Sequence, residues 1–230
     1  MQKLALIPAR KGSKRVPNKN IKSFGGIPIM GYSIKAALDW KFDEVIVYTD
    51  SYQYSRIAKE FGATCPFSRE KADDVQGLYE VVTEVLLKYK LEMAKEWDAV
   101  CVIYPCAPFI THELIETGYN LLHTGNYDAV FPVVRNSFHY QQLMYFQGES
   151  IRHVFPAFRN ESSNNWGDTY RHAGQFFWEK VPALKRNKTL IPDNSGALKI
   201  NPWMGIDIDT PDDWEFAEVK YRVLKEMEYR

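Results

Sequence analysis

Between Ile7 and Asn20 the chain reads IPARKGSKRVPNKN, with Arg10, Lys11, Lys14, Arg15 and Lys19 standing among Gly12, Ser13, Pro17 and Asn20. Lys22 follows, and the first acidic residue is Asp39, so eight cations precede any carboxylate. A Gly/Ser loop lets backbone N–H groups approach phosphate closely, while Arg and Lys add charge and directed donors. Near the other end, IDIDT sets Asp207 and Asp209 two positions apart. At strand spacing the side chains of i and i+2 share a face, so both carboxylates can meet one hard cation. Magnesium keeps several waters and takes one or two carboxylates plus substrate phosphates, which fits this pair. Asp212, Asp213, Glu215 and Glu218 extend the acidic region. Such an asymmetry suits an anionic ligand that needs a cation brought to it. Each cluster also has a plainer reading: a solvated basic turn or a docking patch for an acidic partner, and a helix N-terminus decorated with acids. The second explains Asp212 and Asp213 but not Asp207, which precedes the cap.

Other chemistries find no support in the residues. The loop lacks GxxxxGK[ST], and no GxGxxG follows, which disfavours an ordinary ATPase loop or a dinucleotide site. His112, His123, His139, His153 and His172 form no HExxH and no cluster at metal spacing. No GxSxG elbow marks a serine hydrolase. Cys101 and Cys106 sit in or beside a predicted strand and read as core; with Cys65 they form no CxxC pair, which fits a reducing compartment.

The 230 residues allow one substantial core, and Lys+Arg and Asp+Glu balance at 29 each, which argues against a whole-surface attraction to nucleic acid or anionic lipid. LALI is too short for a signal-peptide core, and no run could span a bilayer, so the expectation is a soluble, cytoplasmic protein. The sequons at Asn160 and Asn187 then read as chance.

The elements that must hold these residues follow from periodicity. KLALI (3–7), EVIVYT (44–49), DAVCVIY (98–104), DAVFPVV (128–134) and AGQFFW (173–178) read as strands. Helices are predicted from Pro28 as a first helical residue, over 51–61 ending at Gly62, over 75–93, over 111–122 with Thr111 as N-cap, and after Thr210 and Pro211. The alternation predicts an α/β, Rossmann-like, mainly parallel sheet with helices on both faces, its basic loop at the carboxyl edge where ligands bind in such sheets. From 136 to 170 the rhythm changes. A β-hairpin near Gln147-Gly148 and a polar stretch suggest a small β-rich insertion, rich in Phe, Tyr and Met, that forms a dimer. Residues 1–230 are expected to be one domain containing it.

With the two clusters side by side, the chain resembles the CMP-nonulosonic acid synthetase (cytidylyltransferase) family. That family's opening pattern, I-P-A-R-x-G-S-K-R-x-P-x-K-N, is matched from Ile7 to Asn20, and its D-I-D-T-P-x-D-W from Asp207 to Trp214. FSREKADD, IYPCAPF and YRHAGQFFW resemble further segments in the right order, the last two pointing to the pseudaminic acid branch. The resemblance implies a magnesium-dependent reaction of CTP with a nonulosonic acid, giving CMP-sugar and pyrophosphate, in a homodimer. It implies that Arg10, Ser13, Lys14 and Lys19 hold the triphosphate beside Gly12, and that Asn20 and Arg69 lie near the cytidine. Asp207 and Asp209 would carry Mg²⁺, with Asp209, Arg10, Lys14 and Lys19 catalytic, while Tyr104, Tyr170 and Gln175 would line the sugar pocket.

The chain departs from the pattern in places. A hydroxyl expected after A-D-D is replaced by Val75-Gln76-Gly77-Leu78, R-P becomes Arg69-Glu70 with the spacing to Ala72 shortened by two, and Y-H-D-A-G becomes Tyr170-Arg171-His172-Ala173-Gly174. An arginine suited to the sugar carboxylate is lost at Ser162, where Arg171 is a substitute. These changes bear on which sugar is used. The alternatives are another nucleotidyltransferase, for octulosonate or sugar 1-phosphates, or a nucleotide-binding protein without turnover. Lys19-Asn20 speaks against the former, and the retained aspartate pair against the latter.

Overall fold

The structure is a computed structural model and describes residues 1–70 and 76–227. In chain order the strands are β1 (Lys3–Pro8), β2 (Ser23–Phe24), β3 (Ile27–Pro28), β4 (Glu44–Tyr48), β5 (Ala99–Ile103), β6 (Ala129–Arg135), β7 (Met144–Gln147), β8 (Ser150–His153), β9 (Tyr170–His172), β10 (Phe176–Lys180) and β11 (Ser195–Lys199). The helices are α1 (Met30–Leu38), α2 (Tyr52–Glu60), α3 (Leu78–Met93), α4 (His112–Thr124), α5 (Val181–Asn187) and α6 (Pro211–Glu226).

One sheet of seven strands runs in the order β11-β6-β10-β5-β1-β4, with β9 added beside β6. β1 pairs in parallel with both β4 and β5, and β11 with β6, whereas β10 lies antiparallel between β5 and β6. The chain therefore builds outward to β4 on one side of β1 and returns to β5 on the other, which leaves a crevice beyond the carboxyl end of β1. Alternate residues feed two cores. Ala5, Ile7, Val45, Val47, Cys101, Ile103 and Trp178 face one helical layer containing Met30, Ile34, Tyr54, Ala58, Ile115 and Leu122. Leu4, Leu6, Ile46, Tyr48, Val100, Val102 and Phe177 face Val81, Val82, Val85, Tyr89 and Leu184 on the other side. Burial on both faces is why these strands read as unbroken apolar runs.

Two local expectations are corrected. Pro28 does not start a helix: Gly25 and Gly26, at φ +55° and +98°, close a tight turn that pairs Ser23 with Pro28 as a small ribbon, and α1 begins at Met30. The IDIDT segment joins no strand of any sheet. It still alternates, because Ile206 and Ile208 are buried in a third cluster with Phe24, Phe109 and Trp214, which turns Asp207 and Asp209 outward. Val75, expected to open α3, lies outside the described residues. Within 136–170, β7 and β8 form a hairpin apart from the main sheet, turning through Gly148 at φ +63°. Among the described residues no helix is long and apolar enough to cross a membrane.

Glu179 in β10 is fully buried, and neither carboxylate oxygen has a hydrogen-bond partner. Burial, with a smaller push from Asp128, raises its carboxyl from an ordinary value near 4.5 to about 9. The folded chain then binds a proton that the unfolded chain releases above about pH 4.5, so this group's contribution is full below that pH and is lost as pH rises through 9. Between pH 5 and 8, wild type is expected to lose at least about 3 °C of Tm relative to Glu179→Gln, read by thermal melts at matched ionic strength. Parallel pH profiles for the two proteins would contradict the assignment.

Candidate active site

The basic loop leaves β1 at Pro8 and is tied down at several points before α1. Ala9 N donates to Tyr48 O, and Lys11 N donates to Asp50 Oδ1, at 2.9 and 2.8 Å. Asn18 takes a left-handed conformation at φ +52°, which asparagine tolerates better than most residues, and it starts a short 3-10 turn at Lys19–Ile21. Asn20 is buried: its Nδ2 donates to Arg10 O at 2.9 Å, and its Oδ1 accepts from Cys106 Sγ at 3.1 Å. The Cys106 thiol is pushed up to about 12 by burial, so it stays neutral and acts as packing.

The acidic segment is held from the opposite direction. Thr210 caps α6, accepting from Asp213 N at 3.2 Å, while Asp213 Oδ2 accepts from the Thr210 and Asp209 N–H groups at 2.8 and 3.0 Å. This capping box explains Asp213 and fixes the residue before the cap, Asp209. Lys220, from the body of α6, donates to Pro202 O at 2.9 Å and steadies the approach to the segment. Gly174, at φ +68°, lets the segment pass close: a Cβ there would stand 2.9 Å from Ile206 O and 3.1 Å from the Asp207 Cα.

The two ends of the chain meet. Lys19 Nζ donates to Ile208 O and lies 3.4 Å from Asp209 Oδ1, and Arg15 Nη2 lies 3.0 Å from Asp209 Oδ2. Three adjoining clefts open here. One, of about 370 Å³, is lined by Arg10, Ser13, Lys14, Arg15, Lys19, Asn20 and Asp209, four cations against one carboxylate. A second, of about 290 Å³, shares Pro8 and Arg10 with it and adds Arg69, Gln76 and Tyr104. The third, of about 280 Å³, joins Lys19, Tyr104, Gly174, Asp207 and Asp209.

The electrostatics follow the geometry. Loss of hydration, then the neighbouring Asp209 charge, raises the Asp207 carboxyl, opposed by His172, Lys19 and Arg171. Burial, with Asp207 and Asp209, pushes the Tyr104 hydroxyl up to about 12, so it remains a donor. The cleft therefore has a cationic wall beside two mutually repelling carboxylates, a repulsion that a divalent cation would relieve. Among the described residues no group of three or more His, Cys, Asp or Glu forms a protein-only metal cage. An ion completing its shell with phosphate and water suits such a pair.

Arg10, Ser13, Lys14, Lys19, Asn20, Arg69, Tyr104, Asp207 and Asp209 are thus brought to one crevice. Gly12 lies on the exposed part of the loop, with open space where a Cβ would stand. Gln175 is buried behind the crevice, its side-chain Nε2 donating to Met204 O at 2.7 Å and its backbone carbonyl accepting from Tyr104 N at 2.8 Å, so it holds the wall. Tyr170 lines none of the three clefts; on β9 it pairs opposite Arg135 of β6, with Lys199 Nζ 4.9 Å from its ring centroid. The expected Ala72-Asp73-Asp74 segment lies outside the described residues. Sequence reasoning missed Arg15 as the partner of Asp209, since five cations of one loop look alike before folding. It also missed Tyr48 and Glu84, which stand near the second cleft with no motif to mark them.

Residues 4–192 match the cytidylyltransferase family. The chain is 29% identical to the pseudaminic acid cytidylyltransferase of Campylobacter jejuni subsp. jejuni serotype O:2 over the full length of both. It is 30% identical to the CMP-N,N'-diacetyllegionaminic acid synthase of Legionella pneumophila, over 95% of each chain. In three dimensions it resembles a CMP:2-keto-3-deoxy-manno-octonic acid synthetase complexed with CTP, at TM-score 0.70 and 16% identity, over 98% of this chain and all of that one, a likeness of fold alone. On the family match and the full-length relatives, the chain belongs to the cytidylyltransferase family of nucleotidyltransferases.

Proposed function

We propose that the protein joins the CMP of CTP to a nonulosonic acid, pseudaminic acid in preference, releasing pyrophosphate. The observation that carries this reading is the meeting of Arg10, Lys14, Arg15 and Lys19 with Asp209 in one cleft at the end of β1. The anomeric hydroxyl of the sugar attacks the α-phosphorus, the bond to the bridging oxygen breaks, and pyrophosphate leaves. Such a displacement needs positioning and charge neutralisation more than covalent catalysis. Arg10, Ser13, Lys14 and Lys19 hold the triphosphate, and the fixed cations meet negative charge on the departing pyrophosphate without reorganising. Arg69 and Asn20 border the base, and Tyr104 offers its hydroxyl beside the sugar. Asp207 and Asp209 would hold Mg²⁺, which when bound neutralises phosphate charge and lowers the pKa of a coordinated hydroxyl.

The test is pyrophosphate release with CTP and Mg²⁺ across pseudaminic, legionaminic, N-acetylneuraminic and octulosonic acids. Release with pseudaminic acid at the highest kcat/KM is expected; silence with all four would refute the reading.

The working unit is a cytoplasmic homodimer formed through the 136–170 insertion. Its support is the hairpin's unpartnered apolar surface, where Phe146 is 77% exposed beside Tyr145, Met144 and Ile151. Phe146→Asp is expected to convert a dimer to a monomer in sedimentation at micromolar concentration, with an unchanged fold. A wild-type monomer under those conditions would count against it.

A further inference from the structure

Arg69 is buried at the wall of the second cleft, and a buried cation keeps one direction only where its partners are themselves fixed. Arg69 Nη2 donates to Gln76 Oε1 at 3.1 Å, Gln76 Nε2 donates to Glu84 Oε2 at 2.8 Å, and the Tyr48 hydroxyl donates to Glu84 Oε1 at 2.6 Å. Tyr48 ends β4 and Glu84 lies in the second turn of α3, so this chain of bonds runs from the sheet to the cleft. Chemistry sets each direction in it. A guanidinium only donates and a carboxylate only accepts, so the amide between them satisfies both in one orientation alone. Burial, and then the bond to Glu84, raise the Tyr48 hydroxyl, which keeps it a donor. Burial alone would raise Glu84, yet the bonds from Tyr48 and Gln76 hold its carboxyl below the usual range, which keeps it an acceptor.

Resting on the reaction proposed above, we infer that Tyr48, Glu84 and Gln76 are positioning residues that aim the Arg69 donors into the cleft and thereby select cytosine over uracil. Cytosine offers adjacent acceptors at O2 and N3, which a donor-only group can meet together. Uracil carries an N3–H in the same place and sets a donor against a donor. A guanidinium free to swing would tolerate both bases. One held by a polarised chain would not.

Glu84→Gln removes the charged, acceptor-only anchor of the chain: the new amide meets Gln76 and Tyr48 with one oxygen and one N–H, so its hold on the Gln76 amide, and through it on Arg69, weakens. The expected result is a rise of about tenfold in KM for CTP with kcat changed less than about twofold, and a fall of about tenfold in the CTP-to-UTP ratio of kcat/KM. Calorimetric titration of each protein with CTP and UTP alone should show the same loss of preference. The exchange Gln76→Glu with Glu84→Gln restores a one-way chain: the new carboxylate accepts from Arg69 and from the new amide, which accepts from Tyr48. Its expected recovery of CTP preference is a result that simple loss of packing would not give. Unaltered preference in Glu84→Gln, failure of a folded exchange variant to recover it, or wild type binding both nucleotides equally would overturn the inference. If the preference shifts as described while no acid yields pyrophosphate, the reaction is wrong and the positioning chain stands.

Discussion

Asp209→Ala is expected to lower pyrophosphate release from CTP and a nonulosonic acid by at least about a thousandfold without unfolding the protein. The carboxylate is the meeting point of the cleft. It pairs with Arg15 at 3.0 Å and Lys19 at 3.4 Å, and it shares the third cleft with Asp207. Removing it leaves one carboxylate for a divalent ion and lets two cations of the cradle lose their common anchor. The cost to folding is small, because the side chain is 44% exposed and exposed ion pairs contribute little to stability. The bond from Asp209 N to Asp213 also survives, since it belongs to the backbone. The Tm is therefore expected to stay within about 3 °C of wild type. Unchanged turnover would discard Asp209 as a functional residue, and a large Tm loss would reassign it to structure.

Lys19→Met is expected to lower kcat/KM for CTP by at least about a hundredfold, measured by steady-state pyrophosphate release. Methionine keeps an unbranched apolar stem but removes the charge. The lysine stem is largely covered, and its head bonds to both Ile208 O and the Asp209 carboxylate. One side chain thus ties the opening loop to the segment near the other end, and it borders the first and third clefts together. Arginine at this position keeps the charge but not the compact head, so Lys19→Arg should recover only part of the loss. Activity equal to wild type in Lys19→Met would remove the electrostatic bridge on which the site depends.

Much of this arrangement could be read from the residues. KLALI, EVIVYT and DAVCVIY announced buried parallel strands, and a basic Gly/Ser loop after the first of them belongs at the carboxyl edge. Thr210-Pro211 marked the start of α6 and so placed Asp209 just before a cap. Strand direction was less accessible. AGQFFW is as apolar as its neighbours, yet β10 runs antiparallel because the chain comes back along β6 in one direction, through β9 and then, after an interruption at Ala173–Gln175, β10, and apolar runs do not encode direction. The extended character of IDIDT was legible, but its exclusion from the sheet was not. Its alternation comes from packing Ile206 and Ile208 beneath α6, which mimics a strand pattern. Tyr170 shows a different limit, since a motif match named it for the sugar pocket but carried neither its place on β9 nor its distance from the crevice. The Tyr48–Glu84–Gln76 chain was invisible for a third reason: it joins a strand end, a loop and a helix at spacings of 36 and 8 residues, which match no local period.

The most direct measurement of the central claim is a crystal structure with CTP and Mn²⁺ in place of Mg²⁺, read by anomalous scattering. The metal peak should fall beside Asp207 and Asp209, with the triphosphate running from it along Arg10, Lys14 and Lys19 and the base against Arg69. A peak distant from both aspartates, or a triphosphate seated in any other cleft, would contradict the account.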